Sequence, residues 1–80
     1  MTENVTVIRI GTHIESNQGL VIDHKPGVLP NTTVVLCYLE HNQLHPVVIH
    51  SYMEDSGATH TGEYRETITE ALAAFRLRVA

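Results

Sequence analysis

The chain has 80 residues, with five basic and nine acidic side chains, six histidines and one cysteine, and a formal net charge of −4 at pH 7. That length supports one small domain over residues 1–80 and leaves no room for a second core. The negative charge gives no attraction to a polyanion, and nine scattered carboxylates are too few to imitate a phosphate array, so direct nucleic-acid binding is not expected.

No stretch approaches the roughly 18 apolar residues of a membrane span. Met1-Thr2-Glu3-Asn4 lacks the basic and apolar regions of a secretory signal. A lone cysteine makes no intramolecular disulfide. A reduced, cytoplasmic setting without membrane attachment is the expectation.

In chain order, residues 4–10 are β-branched at Val5, Thr6, Val7, Ile8 and Ile10, which predicts a strand. Gly11 to Gly19 reads as a polar loop, and Leu20 to His24 as a short second strand. Lys25-Pro26-Gly27-Val28 carries the type II turn pattern, with an irregular stretch to Asn31. Strands are predicted over Thr32–Glu40 and Leu44–Met53, with the hairpin bend at His41-Asn42-Gln43. Glu54-Asp55-Ser56-Gly57 makes the next turn, before a strand over Thr59–Arg65.

The period then changes. Thr67 and Glu70 form a capping box, and Ile68, Leu72, Phe75 and Val79 fall on one helical stripe with Ala71 beside them. Glu66 and Glu70 suit the positive end of the helix dipole; Arg76 and Arg78 suit the negative end. Strands followed by one helix define an α+β fold: an antiparallel sheet of four to five strands with one C-terminal helix packed on one face.

His13, His24, His41, His45, His50 and His60 invite a metal reading, but no spacing sets three of them on one element, and no metal or other cofactor is expected. If the strands flanking Gly57 pair, His50 and His60 come near each other across the sheet. Protonating all six would move the net charge from −4 to +2, making charge-dependent partners pH-sensitive between roughly pH 5 and 7.

Cys37 and Ser51 sit mid-strand, no nucleophile elbow surrounds any serine, and the glycines are isolated. An enzyme is not expected. Of the aromatics, Phe75 belongs to the core, while Tyr38, Tyr52 and Tyr64 are either rim residues closing a small core or interface anchors.

The segment Thr59-His60-Thr61-Gly62-Glu63-Tyr64, then Glu70-Ala71-Leu72 and Phe75-Arg76, resembles the ending of small phage and prophage proteins, over about 20 of the 80 residues. Their Gly-x-Tyr strand is followed by a helix with Glu-Ala-Leu and an aromatic. The resemblance implies a phage setting, in which small acidic α+β chains such as the anti-CRISPR proteins inhibit a host defence complex. It carries over no functional residue.

The expected function is therefore a non-enzymatic binding protein acting through protein–protein contact with a larger host protein or complex. The alternatives are a histidine-based metal- or ligand-binding domain and a phage structural or accessory subunit.

The expected contact surface follows from the central hairpin. Bending at Asn42-Gln43 opposes Val34, Leu36 and Tyr38 to Ser51, Ile49 and Val47 on one face, and Val35, Cys37 and Leu39 to His50, Val48 and Pro46 on the other. Both faces are apolar, and a single helix shields only one. The second needs the N-terminal segments, a second copy in a symmetric dimer, or a partner. Val35, Cys37, Leu39, Val48, His50 and Tyr52 are the candidate contact residues.

Overall fold

Valine, threonine and isoleucine crowd the middle of the chain, and there the strand pairing is longest. A computed structural model describes residues 8–78. The described residues form β1 (His13–Ile14), β2 (Gly19–Pro26), β3 (Thr32–Tyr38), β4 (Val47–Met53), β5 (Thr59–Arg65) and α1 (Ile68–Leu77). The strands make one antiparallel sheet in the order β1-β2-β3-β4-β5, each paired with its neighbour in sequence, and α1 lies across β3, β4 and β5. The chain is an α+β protein.

The central hairpin has the anticipated register: Val34 opposes Ser51, Val35 opposes His50, Leu36 opposes Ile49 and Cys37 opposes Val48. Pairing stops at Tyr38 and Val47, so both strands are shorter than the sequence suggests. The reason is local. Between them the chain folds on itself, with Asn42 N–H donating to Leu39 O at 3.2 Å and His45 N–H to Asn42 Oδ1 at 3.0 Å.

Three expectations near the N-terminus need correction. Residues 4–7 of the first predicted strand lie outside the described residues, and residues 8–10 are not strand. The expected loop over Gly11–Gly19 contains β1, which turns through Glu15–Gln18 into β2. The turn at Lys25–Val28 is absent. β2 runs on through Pro26, which pairs with Thr33, and the reversal comes later, with Asn31 in the left-handed region at φ 59°. Proline is tolerated there because it ends the strand and its missing N–H costs no ladder bond on the outer side.

Two bulges set which side chains face the helix. One, between Val21 and Asp23, inserts Ile22 and resets the alternation, so that Lys25 lies opposite Val34 on the helix side. The other lies between Ile49 and Ser51, where β5 carries the extra residue and Thr61 adopts φ 54°.

Thr67 caps α1, its hydroxyl accepting from Glu70 N–H at 3.2 Å. The buried stripe is rotated from the predicted one. Ala71 and Phe75 are buried, Leu72 and Ala74 half-buried, and Ile68 is exposed; Val79 lies outside the described residues. The small Ala71 side chain lets the helix backbone approach the sheet on its own side, turning Ile68 outward.

Two apolar clusters result, one on each face. Val34, Leu36, Val47 and Ile49 pack with Ala71 and Phe75 beneath the helix. Val35, Cys37, Leu39, Val48 and Tyr52 pack with Ile14 and Val21, and Ile8 lies against them. The chain's own first hairpin and Ile8 therefore pack on the face that the single helix leaves bare.

Candidate functional site

All six candidate contact residues lie on that second face, and all are buried: Val35, Cys37 and Val48 are fully enclosed, and Leu39, Tyr52 and His50 nearly so. A partner has no access to them while the β1–β2 hairpin is in place.

What the sequence did not disclose is the polar joint that seats the hairpin. Asn17, in the Glu15–Gln18 turn, accepts from Gly19 N–H on Oδ1 at 2.7 Å, and its Nδ2 lies 3.1 Å from His50 Nδ1 on β4. The same side chain partly offsets the effect of burial on the Cys37 thiol of β3. Gly19 must be glycine because a Cβ there would stand 2.8 Å from the Cys37 Cβ and 3.1 Å from Leu39 Cδ2. Such a contact across 33 residues of sequence leaves no local pattern to read.

Cysteine, histidine and asparagine are the residue types of one kind of hydrolase site, but here their electrostatics run the wrong way for it. Burial pushes the Cys37 thiol up, against a smaller opposing effect of the Asn17 side chain. Burial also pushes His50 down, assisted by the positive charge of Arg78 and by His60. A thiolate–imidazolium pair needs both shifts reversed.

Of the other histidines, His13, His24, His41, His45 and His60 are exposed. His60 pairs with Ser51, one step from His50 in register and on the opposite face, so the two rings are neighbours through the sheet and do not converge on one ligand. No group of three histidine, cysteine or acidic side chains could hold a metal among the described residues.

One open surface lies on the helix side. One ladder row runs His13, Leu20, Tyr38, Val47, Arg65 across all five strands. The helix buries Val47 and meets β2 at Ile22 and Lys25, short of this row, so Tyr38 and Leu20 remain 39% and 43% exposed. They line a shallow cleft of about 440 Å³, with His13, Gln18, Glu40 and His41 contributing the polar groups. An aromatic and an aliphatic side chain side by side within a polar rim have the anatomy of a protein contact surface.

Compared with protein families, curated proteins and solved structures, the chain matches no family model, no curated protein and no solved structure. Among the described residues no helix is long and apolar enough to cross a membrane.

Proposed function

We propose that this chain is a non-enzymatic binding protein that works by protein–protein contact, and that Leu20 and Tyr38 anchor the contact. The observation that carries the reading is their cross-strand pairing beyond the end of the helix cover, exposed together and edged by polar groups. Glu40 on the rim and the net charge of −4 favour a partner presenting an apolar knob flanked by basic groups. The C-terminal resemblance to phage proteins supports an inhibitor docking on a larger host defence complex.

Affinity capture from bacterial lysate, run with the wild-type chain and with Leu20→Lys, tests both halves. The wild type should retain one stoichiometric large partner, and Leu20→Lys, with an unchanged circular dichroism spectrum, should lose it. Equal capture by both chains would overturn the surface; the absence of any stoichiometric partner would overturn the class.

A further inference from the structure

His50 is held in one protonation state by its neighbour. Because Asn17 Oδ1 accepts from Gly19 N–H, the amide is oriented with Nδ2 toward His50. Nδ2 only donates, so His50 Nδ1 must accept, and the ring is the neutral tautomer with its proton on Nε2. Adding a proton would place an N–H on Nδ1 against the Asn17 NH₂, two donors 3.1 Å apart. Flipping the amide offers no escape, since it would set Nδ2 against the Gly19 N–H.

We propose that protonation of His50 releases the Glu15–Gln18 turn from the apolar face beneath it, so that the first hairpin is an acid-sensitive latch over Cys37, Leu39 and the rest of that cluster. Every element packed round the ring bears on this. The turn supplies the Asn17 donor to the ring and carries Glu15 exposed to solvent, and β3 carries the neutral Cys37 thiol. From β5 come the Tyr64 ring, edge-on at 5.9 Å between centroids, and His60; beyond the end of α1 stands the cationic Arg78. None of the groups facing the ring is an anion; the Glu63 carboxylate of β5 lies on the helix side, paired with Arg78, and Arg78 and His60 both disfavour a charge on His50. Nε2 already carries a proton, so the incoming one goes to Nδ1 and reaches it when the turn lifts; Gly62 lies against the other side of the ring, where a Cβ would stand 2.5 Å from Nε2. Acidification thus drives the ring into the one state the joint cannot accommodate.

Cys37, the chain's single cysteine and fully buried, reports opening directly. Its reaction with 2,2′-dithiodipyridine, normalised to glutathione at each pH, is followed from about pH 7.5 to about pH 4.5, alongside the His50 ring resonances and Gly19 amide exchange. The expected result is a rise in Cys37 reactivity of about tenfold or more, with loss of Gly19 protection, over the range in which His50 titrates. Protection of Cys37 that persists through the His50 titration overturns the latch.

Asn17→Asp supplies the opposite chemistry, an acceptor facing Nδ1 with the Gly19 N–H still bonded. It should raise the His50 midpoint by about one pH unit or more and keep Cys37 protected where the wild type opens. An unmoved or lowered midpoint overturns the proposal. Should that variant not fold, His50→Asn keeps an acceptor near the Nδ1 position and cannot titrate. Cys37 protection should then be flat with pH, and opening at the wild-type midpoint would refute the role of His50.

Discussion

Lys25 Nζ lies 2.6 Å from the carbonyl oxygen of Phe75 and 4.9 Å from the centroid of the Phe75 ring. One ammonium thus satisfies a carbonyl in the last turn of α1 and sits over the aromatic that fastens the helix to the sheet. The bulge at Ile22 makes this possible by turning Lys25 to the helix side. Lys25→Met, which keeps the aliphatic length and removes the charge, should destabilise the chain by about 1–2 kcal/mol, through the lost charge–dipole and cation–π attractions. Urea denaturation checks it, and the loss should survive moderate salt because the pair is partly buried.

Phe75 and Ile68 should behave oppositely although the sequence places both on one stripe. Phe75 is buried against Val34, Leu36 and Ile49, so Phe75→Ala should cost about 3–5 kcal/mol in lost contacts and residual cavity. Ile68 is half exposed, and Ile68→Ala should cost about 1 kcal/mol or less. Thermal melts of the two variants side by side would show a large shift and a small one.

That contrast shows where the sequence could be read and where it could not. The hairpin register was legible because the polar His41-Asn42-Gln43 between two apolar runs marks the bend, and the helix start was legible because Thr67 and Glu70 are local partners. The rotation of the helix was not, because it depends on how closely Ala71 lets two elements approach. Asn17 was invisible for the same reason: its meaning lies in residues 33 positions away. The face bearing Val35, Cys37, Leu39, Val48, His50 and Tyr52 was identified as apolar and in need of cover, and the cover is the hairpin containing Gly11–Gly19, a stretch too polar to announce that role.

Stability should fall on both sides of neutrality, for reasons that can be signed. His50 has a folded pKa below its ordinary 6.5, so the unfolded chain binds the proton more readily, and stability present above 6.5 is lost as pH falls toward the folded value. Cys37 has a folded pKa above its ordinary 9.0, so its contribution is full below 9.0 and is lost as pH rises toward the folded value. Urea midpoints measured across the pH range should form a plateau between those two limits. Cys37→Ala should remove the alkaline decline attributable to the thiol, leaving the acid limb in place; an acid limb that vanished with it would contradict the assignment to His50.

Arg78, the residue after α1, turns its guanidinium inward, with its side chain only 6% exposed, while the side chain of its ion-pair partner Glu63 is 38% exposed. Nη1 donates to Glu63 Oε1 at 2.9 Å and to Ile49 O at 3.2 Å, and Nη2 donates to Ser51 Oγ at 3.1 Å. These bonds tie the end of the helix to β4 at the bulge and to β5 beside it. Glu63 keeps water access, so the ion pair itself contributes modestly; the carbonyl and hydroxyl beneath the guanidinium have more to lose. Arg78→Met should therefore cost about 2–3 kcal/mol, whereas Glu63→Gln, which retains an acceptor for Nη1, should cost about 1 kcal/mol or less. Arg78→Lys should fall nearer to Met than to wild type, because a point charge cannot fork to three acceptors on two strands. Equal losses for Arg78→Met and Glu63→Gln in urea denaturation would mean that the ion pair, and not the fork into the sheet, holds the helix end.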